Sequence, residues 1–336
     1  MSIQTKIDTI IKSVGSINMQ DFVELSNFDI DSGFYNKPSI EKIGKNGQFI
    51  TSPEISSLFS IALANQFLKE FPNVKSVNLL ELGPGNGLLT MDIHNYLKSK
   101  SININNISLL EKSNYFKRKI LEKSDVKVNF IENIYDYEVD NEDVLFIYSN
   151  EFFDAIGSKQ FIFNNGKFEE IKISKNNNKY ILIKESAIIS GKLIEYYSNY
   201  KFKNNDIIEH SNLILNMLSD IQNLRCKKFF FTTTDYGYTR LQLKSTLRLL
   251  SNHNKLNLFD KFENVDYSFG VNFELLHRFF LKENPLIISQ KDLIINNLPS
   301  EYLKSTDKDV KKIIGLISGE KFEGMGTTFL NLSFKK

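Results

Sequence analysis

Tryptophan is absent from this 336-residue chain, cysteine occurs once and histidine four times. The lone Cys226 rules out an intramolecular disulfide and a cysteine-built metal site, and it fits a reducing compartment. The histidines show no ligand spacing, so no metal is expected. No run of 18 or more apolar residues occurs, so no membrane-spanning helix is expected. An excess of either charge is also lacking, with 42 Lys and Arg against 40 Asp and Glu. The net value of +2 marks neither a nucleic-acid binder nor a protein drawn to anionic membranes. The first residues lack a basic stretch followed by an apolar one. Ile3, Ile7, Ile10, Ile11 and Val14 instead share one helical face and predict a packed first helix. A cytoplasmic location is expected, or the mitochondrial matrix in a eukaryote.

What is present is a globular composition, 41% hydrophobic and 24% charged, with 28 Phe and 14 Tyr to fill a core. The length allows one large α/β domain, or a core domain carrying an insertion.

The stretch Val77–Thr90 reads VNLLELGPGNGLLT. An apolar run is broken by Gly83-Pro84-Gly85-Asn86-Gly87, and helical spacing (Leu88, Leu89, Ile93, Tyr96, Leu97) follows at once. Strand, glycine turn and helix open a nucleotide-binding α/β unit. Gly83 and Gly85 allow a tight turn and a close ligand, and Pro84 stiffens it. Two details argue against a dinucleotide. Leu88 stands where G-x-G-x-x-G places its last glycine, and Glu81 puts a carboxylate just before the loop. An acid there suits a cationic ligand such as S-adenosylmethionine, which carries a sulfonium and an ammonium. The next apolar run ends in Glu111, 24 residues past Gly87 (111 − 87), near where a ribose-binding carboxylate is expected.

In chain order, a second helix is expected near Met19–Asn27. Thr51-Ser52-Pro53-Glu54 predicts a helix start, with Ser52 as cap, running through Phe67. A helix over Ser113–Leu121 and strands over Val126–Ile131 and Val144–Tyr148 extend the alternation, which implies a doubly wound parallel sheet. The alternation then breaks. Lys159–Phe163 and Lys167–Ile173 flank Asn164-Asn165-Gly166, a hairpin signal, and Tyr180–Lys184 follows a polar turn at Lys175–Asn178. A helix over Leu213–Leu224, a strand over Lys228–Thr234 and a closing strand over Thr327–Phe334 complete the pattern. The expected organisation is an N-terminal helical segment (1–50), a cofactor-binding α/β core (51–155) and an inserted β-meander (156–210). The remainder of the core sheet and the C-terminal substrate-side elements fill 211–336.

Asn150-Glu151-Phe152-Phe153-Asp154 follows the strand Val144–Tyr148. Ligands in open α/β sheets bind outside the carboxyl ends of the strands, so Glu151 and Asp154 should stand at the crevice mouth. Two carboxylates fit a cationic methyl acceptor, and arginine is the demanding case, its guanidinium always charged and planar. A carboxylate can bind it bidentately. The alternative is an acidic helix start, with Asn150 as cap and both acids in the first turn.

These blocks together resemble the MidA family of S-adenosylmethionine-dependent methyltransferases, whose mitochondrial members are complex I assembly factor 7. The marks are Gly33-Phe34-Tyr35, Phe49-Ile50-Thr51-Ser52-Pro53-Glu54-Ile55-Ser56, Glu81-Leu82-Gly83-Pro84-Gly85 with Gly87, and Asn150-Glu151-Phe152-Phe153-Asp154-Ala155. Asp235-Tyr236-Gly237-Tyr238 and Thr246-Leu247-Arg248 complete the set. The resemblance runs from about Ile17 to Phe334. It implies a class I methyltransferase (Rossmann-like) fold with N-terminal helices and an inserted β-rich substrate region. It also implies S-adenosyl-L-methionine as cofactor and symmetric dimethylation of an arginine on a 49 kDa-type subunit of respiratory complex I. Under this reading Glu151 and Asp154 are catalytic. Glu81, Gly83, Gly85, Gly87, Glu111 and Asn150 bind the cofactor. Tyr35, Ser52, Glu54, Asp235 and Tyr236 lie on the substrate side. Neither nucleic acid nor membrane insertion is expected. The chain departs from the family at Gln48, Asn86, Leu88, Gly270 and Asn272. Those at Gln48, Gly270 and Asn272 keep a second reading open, a non-catalytic assembly module that retains the cofactor fold, and a small-molecule methyltransferase is a third.

Overall fold

The computed structural model describes residues 1–38, 41–44, 47–138, 143–187, 196–198, 200–251, 254–319 and 325–336. They form two compact units, one of residues 38–154, 216–239 and 271–336, the other of residues 1–37, 155–215 and 240–270.

The first unit is built on an eight-stranded sheet. Its main path runs Leu286–Ser289, Phe329–Lys335, Lys228–Tyr238, Val144–Asn150, Ser76–Leu82, Asn103–Leu110, Asn129–Ile131, with Val271–Asn272 beside the end of Lys228–Tyr238. The α/β expectation holds, with one difference. The closing strand Phe329–Lys335 runs antiparallel to both neighbours, so the sheet is mixed. Val126–Ile131 shortens to Asn129–Ile131, and Lys228–Thr234 lengthens to Tyr238.

Helices Ser57–Glu70 and Leu88–Ser99 contribute Leu58, Phe59, Ala62, Leu63, Phe67, Leu89, Ile93 and Leu97 to one core with Leu79, Phe146 and Phe230 of the sheet. Phe67 stacks on Phe146 at 4.6 Å and 9°. Each such buried Leu, Ile or Phe side chain is worth about 1.5–3 kcal/mol. The helix expected from Ser52 through Phe67 is instead two. Ser52–Ile55 ends at Ser56, whose extended backbone (φ −169°) breaks the run, and the Ser56 hydroxyl accepts from Leu58 N at 3.2 Å to start the next helix. Ser52 does not cap. Thr51 holds that position without a side-chain bond, and Ser52 is buried, accepting from Gln290 Nε2 at 3.0 Å.

Where Phe329–Lys335 joins Lys228–Tyr238, the interface is polar although fully buried. Asn331 Nδ2 donates to Thr232 Oγ1 (2.8 Å) and Thr234 Oγ1 (2.9 Å), and its Oδ1 accepts from Gln66 Nε2 (3.0 Å). A satisfied network of this kind fixes register, because any slip leaves buried polar groups unpaired.

In the second unit, Ser2 caps the helix Ile3–Val14, and Asn18 caps Met19–Phe28. Ile3, Ile7, Ile11 and Phe22 pack with Phe262 and Tyr267, so the N-terminal helices share a core with residues from beyond 240. The meander is present. Lys159–Asn164 and Lys167–Asn176 are joined by Asn165-Gly166, both with positive φ, and Asn177-Asn178 make a second such turn into Lys179–Ser186. Ile17–Asn18 and Ile207–His210 extend this sheet to five strands.

Candidate functional site

The carboxyl ends of adjacent strands finish level in the first unit. Leu82 lies opposite Leu110 on one side and Ser149 on the other, and Thr234 lies opposite Asn150. The chain leaves Ser76–Leu82 toward Asn103–Leu110 on one flank, while Val144–Asn150 lies on the other. That pair is the switch point where open α/β sheets bind ligands.

The glycine turn starts there. Gly83 N donates to Leu110 O (3.0 Å), Gly87 N donates to Pro84 O (2.8 Å), and Gly83, Gly85 and Gly87 have φ of 66°, 54° and 80°. All three sit where L-residues with a Cβ are strained. A Cβ on Gly83 would fall 2.4 Å from Cδ2 of Phe152, so the segment after Asn150 packs directly on the turn. Asn86, one of the departures noted in the sequence, has its own role here. Its Nδ2 donates to Glu54 Oε1 and its Oδ1 accepts from Leu88 N, tying the Ser52–Ile55 helix to the turn.

Glu81 is buried beneath the turn, accepting a hydrogen bond from the Thr90 hydroxyl, which in turn lies 2.7 Å from the Tyr148 phenol. Burial pushes its carboxyl up to about 8. Glu111 is buried too, accepting from Ser113 N at 2.7 Å and from the Gly85 amide, and burial raises it to about 7. The two acids named from sequence therefore flank the turn, one below it and one bonded to it. The Thr90–Tyr148 hydroxyl pair around Glu81 had no signal in the sequence.

After Asn150 there is no helix, so the acidic-helix-start alternative does not hold. Glu151 takes a left-handed backbone with φ 50°. Eight described non-glycine residues have positive φ and six are asparagine, whose short side chain eases that conformation; Glu151 lacks this help. Glu151 N donates to Thr234 O (2.9 Å), and Asn150 Nδ2 donates to Glu151 Oε1 (3.2 Å). Asp154 is half-buried at the end of the same turn.

Asp235, expected on the substrate side, is fully buried. Its Oδ2 accepts from Phe152 N (3.1 Å) and Phe153 N (2.8 Å), and its Oδ1 accepts from Tyr236 N (3.0 Å). Burial and the nearby Glu151 push its carboxyl upward. Tyr236 is half-buried beside Phe329. Glu54 is bonded to the turn through Asn86, whereas Ser52 is enclosed with Gln290. Tyr35 belongs to the other unit, where its phenol donates to Asp266 Oδ1 at 2.8 Å.

Buried acids of this kind set a pH dependence. Glu81, Glu111 and Asp235 titrate higher folded than unfolded, so their stabilising effect is complete only below their ordinary values, 4.5 for the two Glu and 3.8 for Asp235, and is lost as pH rises through their folded values. A tenfold difference in proton affinity between the folded and unfolded chain is worth about 1.4 kcal/mol. His210, held neutral by burial, opposes this slope below its ordinary value. The thermal midpoint of the ligand-free protein should fall between pH 5 and pH 8, less steeply in Glu81→Gln. Scanning calorimetry showing a midpoint that rises over that range would contradict this account.

Among the described residues, no helix is long and apolar enough to cross a membrane. Over 99% of the chain the fold matches a Burkholderia thailandensis protein crystallised with S-adenosyl-homocysteine, with a TM-score of 0.84 at 16% identity and 92% of that protein covered. Over 86 residues the chain is 40% identical to the protein arginine methyltransferase NDUFAF7, mitochondrial, of Rattus norvegicus and 36% identical to that of Homo sapiens. Those 86 residues are 25% of this chain and 19% of each relative, so the match spans about a fifth of the curated relatives' length. The family model described as "Putative S-adenosyl-L-methionine-dependent methyltransferase" matches residues 62–288. With more than half of its length so matched, the chain belongs to the MidA family of S-adenosylmethionine-dependent methyltransferases, and S-adenosylmethionine is its cofactor.

Proposed function

We propose that the chain methylates arginine on a protein, a subunit of respiratory complex I during its assembly. Features of the site fit the cofactor. Three glycines leave the turn bare of side chains, and two buried acids held above their ordinary range would be relieved by a cationic ligand. Asn150 Oδ1 is buried without a hydrogen-bond partner among the described residues, an acceptor ready for a donor. In this reading Glu81 faces the ligand's positive groups, Glu111 takes the ribose hydroxyls, and Gly83, Gly85 and Gly87 admit its close approach. Bound S-adenosylmethionine supplies a methyl group on a positively charged sulfur.

Glu151 and Asp154 then bind the guanidinium. The observation that carries this is the left-handed turn holding Glu151 beside the glycine loop, since strain of about 1–3 kcal/mol persists where surrounding contacts enforce it and clusters at working sites. A bidentate carboxylate orients the planar group and localises its charge, leaving one nitrogen to take the methyl as the carbon–sulfur bond breaks; S-adenosylhomocysteine is left, and the nitrogen's proton is lost to water. Orientation of the two reactants supplies most of the rate, about 7–11 kcal/mol at best. Glu54 and Tyr236 remain candidates to border the acceptor. The mitochondrial relatives, named as protein arginine methyltransferases, support arginine as the acceptor.

The test is transfer of labelled methyl from S-adenosylmethionine to a recombinant 49 kDa-type complex I subunit, followed by chromatography of the hydrolysate. Label in symmetric dimethylarginine is expected. Label on lysine, or none on protein with turnover of a small molecule, would overturn the proposal.

A further inference from the structure

We infer that Asp235 is a positioning residue of this methyl transfer, its buried carboxylate holding the turn that presents Glu151 rather than meeting the substrate. The inference rests on the reading of Glu151 above. A turn that leaves a strand without entering a helix exposes amides that a helix cap would otherwise satisfy. Here the acceptor comes from the neighbouring strand. Asp235 Oδ2 receives the Phe152 and Phe153 amides, and Thr234 O receives the Glu151 amide. Three successive amides are thus pinned by two adjacent residues of Lys228–Tyr238. The pinning brackets the one residue of the turn with positive φ. It also sets Phe152 on Gly83, so the acid and the glycine turn are placed by the same contacts.

An acid is costly in this position. Asp235 is fully enclosed, and its bonds all come from backbone amides of its own and the adjoining segment. Amides reach both oxygens, Phe152 and Phe153 N on Oδ2 and Tyr236 N on Oδ1, and this calls for a carboxylate, because an amide side chain has one acceptor oxygen and would turn a donor toward the third amide. Losing that anchor frees the turn to relax toward an ordinary backbone, and a displacement of about 1 Å in a reacting group costs about 100-fold in rate.

The experiment is a double-mutant cycle on the full chain with Glu151→Gln, Asp235→Ala and Asp235→Asn, reading kcat, KM for cofactor and the thermal midpoint. Asp235→Ala should lower kcat by about 10- to 100-fold with cofactor KM unchanged. Asp235→Asn, which keeps one acceptor, should recover part of that loss. Either Asp235 variant placed on Glu151→Gln should reduce kcat no further, because its effect runs through Glu151. Where Asp235→Ala does not fold, the cycle is read with Asp235→Asn. Effects that add, or unchanged kcat in Asp235→Asn and Asp235→Ala, overturn the inference while the Glu151 reading stands. An active Glu151→Gln instead overturns the Glu151 reading on which the inference rests.

Discussion

Glu151→Gln should lower methyl transfer by about 30- to several-thousand-fold while leaving cofactor affinity almost unchanged. The substitution keeps size and most hydrogen bonding but removes the charge that localises a guanidinium's positive charge. One of its two polar ends becomes a donor facing donors. Truncating a buried charge pair costs about 2–5 kcal/mol, and the rate range follows from that. The measurement is single-turnover transfer beside calorimetry with S-adenosylhomocysteine. A chain that serves only as an assembly module behaves otherwise. It would restore complex I fully as Glu151→Gln, and full assembly by wild type with no arginine methylation would favour that role. Of the departures that first raised this alternative, Asn272 has a side-chain use of its own, and Gly270 contributes a backbone amide that any residue but proline would supply. Gly270 N donates to Thr246 Oγ1 at 2.9 Å, and Asn272 caps the helix Phe273–Phe279.

Gly85→Val should abolish binding of S-adenosylmethionine and S-adenosylhomocysteine, and neither form should bind NAD. Gly85 holds φ 54°, which a β-branched residue reaches only with strain. Its Cβ would also fall 2.8 Å from Cδ1 of Ile43. That atom is the end of a flexible side chain and can yield, so the backbone conformation is the larger cost. The Gly85 amide bonded to Glu111 would be displaced with it. Calorimetry that finds wild-type affinity in Gly85→Val, or NAD binding to either protein, would contradict the account of this turn.

Much of the framework was legible because its signals are local. The change from strand to helical period around Gly83–Gly87, the helix expected over Ser113–Leu121 and the Asn165-Gly166 turn each depend on a few neighbouring residues. The break at Ser56 was not read, since Ser52-Pro53-Glu54 carries the stronger start signal and hides Ser56, itself a capping residue type, inside the same apparent helix. Two-residue strands such as Ile17–Asn18 have no period to detect. The work of Asp235 depends on which strand lies beside which. Its amide partners are 82 and 83 residues away, and only the sheet order brings them together.

The strand Phe329–Lys335 sits inside the main sheet but is the last of that sheet's strands to be made. During synthesis Lys228–Tyr238 therefore emerges from the ribosome with one side open, its Thr232 and Thr234 hydroxyls lacking Asn331. An open strand edge, with its backbone amides and carbonyls unpaired, is a template for wrong pairing. The strand that carries Asp235 is thus completed only after translation has passed Phe329. A nascent chain halted before that point leaves the site's anchoring strand without its antiparallel neighbour.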